Sequence, residues 1–244
     1  MTTDLAPATD VDTAAPFEPS LGADRVASAR RWFESNSRSL RDADDRRYLH
    51  LGLDLVVPGG VFPLSSTSHQ VGIAVLNEVQ PGDRVLDMGT GCGVNAVLAA
   101  TVSHDVVGVD INAAAIEAAA ANAARNGVAD RVELRCSDLF DAVPGAFDVI
   151  VFVPPFLWFT PRDEADRAIT DEGYGTLTRF LDQAGAHLRP DGRILLLFAS
   201  TGDMAYLQQL IRATGFGSDV VSTAAMEHEG DTATESVLRL TRVR

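Results

Sequence analysis

Between residues 84 and 199 the chain alternates short apolar runs with stretches whose apolar side chains recur at helical spacing. Residues 84–88, 105–111, 131–136, 147–153 and 193–199 read as strands, and 95–102, 113–126, 171–188 and 203–214 as helices. Asn112 is a natural N-cap for the Ala-rich second helix, and Gly127 ends it. Such alternation predicts an α/β fold, a parallel sheet covered on both faces. Two last strands, near 218–225 and 236–243, have no helix between them and are expected to pair as an antiparallel hairpin. Upstream the pattern is looser. Val26, Trp32, Phe33, Leu40 and Tyr48 recur among charges, which predicts one or two amphipathic helices over 23–51. Pro58-Gly59-Gly60 stops that pattern, residues 61–70 read as a loop, and 71–79 resume a helical period. The first twenty residues carry only Leu5, Val11 and Phe17 as sizeable apolar groups, too few for a core. The expected organisation is therefore a disordered tail over 1–20, a helical extension with a covering loop over 21–80, and one catalytic domain over 81–244.

Composition narrows the chemistry. The formal net charge is −14, and all twenty basic residues are Arg. Without a lysine there is no Schiff base, no Walker lysine and no kinase lysine. The arginines are dispersed and outnumbered by acids, so nucleic acid is not the favoured partner on charge. The two cysteines, Cys92 and Cys136, show neither metal-site nor disulfide spacing and read as reduced structural thiols; no metal is expected. No signal peptide or membrane-length apolar run is evident, so the expectation is a cytoplasmic protein without membrane association, of open oligomeric state.

The chemistry-bearing positions fall at consecutive strand ends. Asp87-Met88-Gly89-Thr90-Gly91-Cys92-Gly93 follows the first strand of the domain, where Gly89, Gly91 and Gly93 let the backbone turn tightly and approach a ligand. Asp110 ends the second strand, placed to accept from both hydroxyls of a ribose, with Ile111 beside it. This much fits a dinucleotide site as well as a nucleoside site. Further residues shift the balance. Asp87 is placed to help hold a cationic amino-acid end, and Asp138, with Leu139 beside it after the third strand, can accept from an adenine amino group. The fourth strand closes on Val153-Pro154-Pro155-Phe156, a turn stiffened by two prolines.

Together these motifs resemble class I S-adenosylmethionine-dependent methyltransferases of the HemK and small-domain (MTS) group, from about residue 60 to the C-terminus. The resemblance implies a Rossmann-like methyltransferase fold with seven strands in the order 3-2-1-4-5-7-6, the seventh antiparallel. It implies S-adenosylmethionine as cofactor, held by Thr67, Asp87, Gly89, Gly91, Gly93, Asp110, Ile111, Asp138, Leu139 and Val153. It also implies that Pro63 to Thr67 stand for the loop that touches the methionine end of the cofactor. In that group an Asn precedes the two prolines, and its carboxamide with a prolyl carbonyl, here that of Pro154, grips a planar NH2 group. Here Val153 takes that place, without donor or acceptor. An acceptor amine would lose a partner worth roughly 1 to 3 kcal/mol. With the acidic surface, this favours a small-molecule acceptor, methylated on oxygen or nitrogen, against Pro155, Phe156 and Trp158 as an aromatic wall. His69, Asp163 and Glu164 are the candidate general bases, and His69, in the expected loop, is the most attractive of them. Residues 161–172 read as a lid. Three alternatives stay open: the group's protein-glutamine or RNA-base methylation, an NAD-dependent oxidoreductase on the same glycine loop, and a non-catalytic cofactor-binding module.

Overall fold

The computed structural model describes residues 17–41, 43–228 and 231–243, and side chains at 228 and 231 fall outside that description. The expected tail over 1–16 lies outside the described residues. Residues 17–20 are packed, contrary to the disorder expected of them. The Phe17 ring lies 5.0 Å from Tyr174 and 4.8 Å from Tyr206, both edge-on, and Ser20 donates to Asp203 through its amide and hydroxyl.

α1 (Ala23–Arg41) buries Ala29, Phe33, Ser37 and Leu40 on one face. The helical reading of 23–51 then fails, because β1 (Arg46–His50) and β2 (Leu53–Val57) form an antiparallel hairpin. The reason is a period of two: Leu53, Leu55 and Val57 are buried and their neighbours are not. Leu51 and Gly52 both have positive φ, 48° and 84°, and close the two-residue turn. α2 (Ser66–Glu78) begins five residues earlier than its apolar period, because Ser65 caps it and its amide binds the Ser68 hydroxyl at 3.2 Å.

The main sheet contains β3 (Arg84–Met88), β4 (Asp105–Asp110), β5 (Val132–Cys136), β6 (Phe147–Phe152), β7 (Leu188–Ala199), β8 (Phe216–His228) and β9 (Asp231–Arg242). Their order is β5-β4-β3-β6-β7-β9-β8, with only β9 antiparallel to its neighbours on both sides. This is the implied order 3-2-1-4-5-7-6. Between the strands run α3 (Val94–Ala100), α4 (Ala113–Arg125), α5 (Gly175–Ala184) and α6 (Met204–Ala213). The helix expected over 171–188 is shorter, since Gly173 and Tyr174 take φ of 59° and 58° ahead of α5. Pro190-Asp191-Gly192 does not precede β7 but bulges inside it, between the pairs Phe147/Leu188 and Val149/Arg193.

α4 holds the hairpin to the domain. Asn122 donates to and accepts from the Val56 backbone, both at 2.8 Å, and Asn126 does the same with Asp54 at 2.9 Å. Asn122 also donates to the Cys92 carbonyl at 2.9 Å, so one fully buried amide links β2, α4 and the glycine loop.

Candidate active site

β4 and β6 leave β3 on opposite sides, so the chain reverses direction across the sheet at the carboxyl end of β3. A cavity of about 600 Å³ opens there. From β3 and α3 it is lined by Met88 to Cys92 and Asn95, from β4 by Asp110 to Asn112, and beyond β5 by Asp138 and Leu139. Val153 to Phe156, after β6 and next to the end of β3, line it as well.

The three glycines divide into two roles. Gly89 and Gly91, with φ of 66° and 55°, face the cavity, and a Cβ on Gly91 would meet nothing within 4 Å. Gly93 does not line it; at φ 84° a Cβ there would lie 2.8 Å from the Ala119 Cβ, so this glycine serves helix packing. Asp110 accepts from the amides of Gly91 at 2.8 Å and Asn112 at 2.9 Å, and burial raises its pKa. Each carboxylate oxygen keeps a free lone pair for a diol. Ile111 beside it stays half exposed, an apolar face at the cavity mouth. Asp138 is paired with Arg179 at 3.1 Å.

Asp87 has a different place from the one expected. It is buried outside the cavity lining and accepts from the Thr90 hydroxyl at 2.6 Å and the Ala96 amide at 3.0 Å. Burial pushes its pKa up to about 7 against those bonds. It ties the loop to α3 and does not face the space for a ligand. His69 is also displaced, on the first turn of α2 rather than in a loop. It is exposed, edge-on to His50 at 5.7 Å, and absent from the cavity lining, so it is no base for this site. Trp158 turns away too, into a separate surface hollow with Val26, Arg30 and Phe33, while Pro155 and Phe156 remain in the wall. Cys92 is buried, its thiol pushed up to about 12 by that burial, and it borders the cavity, while Cys136 is exposed.

Several lining residues escaped sequence reading. Trp32 and Asn36 come from α1 and Glu235 from β9, whereas Glu164, a candidate base, enters with Arg167 and Ile169 from the segment read as a lid. α1 is clamped to that segment through Asp166, whose side chain is fully buried. Asp166 accepts from Ser37, from Arg41 at 2.9 Å, and from the amide and Nε of Arg162 at 3.0 and 2.8 Å. Behind the wall, the Tyr174 hydroxyl donates to the Phe156 carbonyl and accepts from the Asp203 amide, both at 2.8 Å. Phe156 is thereby held from the far side of the turn. No local pattern marks these contacts, which join residues more than a hundred positions apart in the clamp.

A family model described as methyltransferase small domain matches residues 54–217. The chain belongs to this family. It is an S-adenosylmethionine-dependent methyltransferase, which sets aside the oxidoreductase and the non-catalytic alternatives. It is 37% identical over 154 residues to a release factor glutamine methyltransferase of Cereibacter sphaeroides, covering 56% of this chain and 53% of that protein. It is 34% identical over 189 residues to a ribosomal RNA small subunit methyltransferase C of Chromohalobacter salexigens, covering 72% of this chain and 53% of that protein. The methyltransferase thus spans about half the length of these curated relatives. Its fold is similar to that of a ribosomal protein L11 methylase from Lactobacillus delbrueckii subsp. bulgaricus, with TM-score 0.56 and 22% identity over 77% of this chain and 84% of that one. These findings correct the expected partner. The relatives are named for glutamine and ribosomal RNA methylation, against the small-molecule acceptor and the disfavoured nucleic acid read from Val153 and the surface charge. Among the described residues no helix is long and apolar enough to cross a membrane.

The residues present fit the methyl donor. Gly89 and Gly91 leave room for close approach, Asp110 offers two acceptors for a diol, and the cavity wall carries six acids to two arginines, suiting a cation: Asp110, Asp138, Glu164, Asp171, Glu172 and Glu235 against Arg167 and Arg179.

Proposed function

We propose that this methyltransferase methylates the nitrogen of a planar amide or amine on a macromolecule, with a protein glutamine as the first reading. The supporting observation is that Val153 to Phe156 and the Gly89, Gly91 and Asp110 cradle line a single cavity, at the ends of neighbouring strands. A flat group laid on the proline wall then meets the methyl donor in that cavity. In this reading Gly89 and Gly91 take the nucleoside, Asp110 the ribose hydroxyls, and Ile111, Leu139 and Asp138 the adenine. Thr67 borders the methionine end, and Val153 packs beside it.

S-adenosylmethionine supplies an electrophilic methyl group on a sulfonium. The chain's own residues then have mainly to align the nucleophile and exclude water. The Pro154 carbonyl accepts one N–H of the acceptor nitrogen and fixes its plane. Trp32 and Phe156 exclude solvent, and Asn36 borders the acceptor side. No side-chain base is assigned, and the proton leaves the nitrogen to water after methylation. Val153 adds no polar grip, so alignment falls to the proline carbonyl and to the shape of the wall.

The rim favours protein over RNA, because Asp138, Glu164 and Glu172 stand at the cavity while Arg179 and Arg167 are already paired with Asp138 and Glu164. Ribosomal RNA is the second reading, supported by the relative that covers 72% of this chain. A cytoplasmic location accords with either acceptor. Incubation of the protein with cell extract and methyl-tritiated S-adenosylmethionine, followed by separation of protein, RNA and small molecules, tests this. Label in protein, lost on conversion of the methylated residue's glutamine to alanine, supports the first reading. Label in RNA supports the second, and label confined to small molecules defeats both.

A further inference from the structure

Glu235 is the most deeply buried of the cavity acids. It lies on β9, paired with Ala199 of β7, and only 1% of its surface is exposed. Its carboxylate is drawn to the start of α2, where it accepts from the Thr67 hydroxyl, from Gln70 Nε2 at 3.0 Å and, more weakly, from Ser66 Oγ at 3.4 Å. All three donors are neutral, and none of the ion pairs among the described residues includes Glu235. The cavity's two arginines are committed to Glu164 and Asp138. Burying a carboxylate among neutral donors alone is unfavourable compared with pairing it with a cation. Its remaining open side is the cavity, which it lines beside Thr67 and Met226.

We propose that Glu235 is the counter-ion of the cofactor's α-ammonium, seating the methionine end between β9 and the first turn of α2. The inference rests on the cofactor placement proposed above. The proposed acceptor, an amide or ring amine, is neutral, whereas the cofactor is cationic, so the buried charge is matched to the cofactor. The direction also fits. The cavity runs along the strand ends from Asp138 after β5 to Glu235 on β9, and the placement proposed above puts the nucleoside at its β4 and β3 end. A molecule anchored there through its ribose extends its amino-acid end towards β9. Thr67, Ser66 and Gln70 act as positioning residues, because they orient the carboxylate without needing to touch the ligand.

Calorimetric titration of the full chain with S-adenosylhomocysteine and with 5′-methylthioadenosine, which lacks the amino-acid end, separates the possibilities. Glu235→Gln keeps the shape and removes the charge. The expected result is a loss of about 10- to 100-fold in affinity for S-adenosylhomocysteine, the range of a charge-assisted hydrogen bond, with methylthioadenosine affinity unchanged. Glu235→Asp, which keeps the charge, is expected to recover part of the loss. Equal S-adenosylhomocysteine affinity in wild type and Glu235→Gln overturns the proposal while leaving the nucleoside site standing. Equal losses for both ligands overturn it as well, since the effect is then general to the fold. Failure of the wild type to bind methylthioadenosine defeats the cofactor placement itself.

Discussion

The clamp at Asp166 offers the most quantitative prediction. Burial acts to raise its pKa, but bonds from Arg162, Ser37 and Arg41 win and hold the carboxyl at about 2. A folded pKa below the unfolded one contributes stability above the unfolded value of about 3.9, which is lost as pH falls towards the folded value. The drop from 3.8 to about 2 corresponds to about 2 kcal/mol at neutral pH. Asp166→Asn keeps the volume and removes the charge, while Arg41 and Arg162, 34% and 45% exposed, can turn to water. For a chain of this length, Tm at pH 7 should fall by about 4 to 8 °C. Circular dichroism melts from pH 7 down to pH 2 read this directly, and the gap between wild type and variant should close between about pH 5 and pH 2. Equal melting temperatures at pH 7, or a gap that persists undiminished in acid, would refute the reasoning. Since the clamp joins α1 to the segment carrying Glu164, Arg167 and Ile169, the variant should also raise KM for the acceptor and leave S-adenosylhomocysteine affinity unchanged.

The glycine loop predicts opposite phenotypes for two alanine variants. Gly93→Ala meets Ala119 at φ 84° and should lose about 2 to 4 kcal/mol of stability in urea melts. Gly91→Ala, with open space around it, should unfold only about 1 kcal/mol more easily but bind S-adenosylhomocysteine markedly more weakly. Asp87, with its pKa raised to about 7, carries the reverse acid linkage from Asp166: it takes up a proton on folding, so its contribution falls as pH rises from about 4 through 7. Urea melts of Asp87→Asn across pH 5 to 8 should show a flatter profile than wild type over that window. Val153→Asn places a carboxamide beside Pro154 and should raise kcat/KM for the methyl acceptor about 5- to 100-fold; an unchanged value would count against a planar NH2 group at this wall.

The core of the fold was legible because its signals are local. Apolar runs mark the central parallel strands, as at 149–152 and 194–199, Asn112 and Gly127 bracket α4, and the two last strands have no helix between them. The hairpin over 46–57 was missed because Tyr48 falls loosely into a helical count, whereas the hairpin's true partners are Asn122 on α4 and Asn126 at its C-cap. That Gly89, Gly91, Asp110, Ile111, Asp138 and Leu139 meet in one cavity follows from their places after the strands, but Asp87 shows where that logic fails. A carboxylate at a strand end can point back into the loop it organises, and spacing cannot distinguish this from pointing at a ligand. The wall formed by α1 and the Asp166 clamp, and the end of the cavity at Glu235, are set by contacts distant in sequence. The weight placed on Val153 misled the reading of the acceptor, because one lost amide does not report the rest of the wall.

The most direct test of the account is calorimetric titration of wild type and Asp110→Asn with S-adenosylhomocysteine. One binding site is expected in the wild type. The variant should lose about 10- to 100-fold in affinity, as two ribose hydroxyls exchange a charged acceptor for a neutral amide. Undiminished affinity in Asp110→Asn, or no binding by the wild type, would contradict the placement of the methyl donor between β3 and β4 on which the mechanism depends.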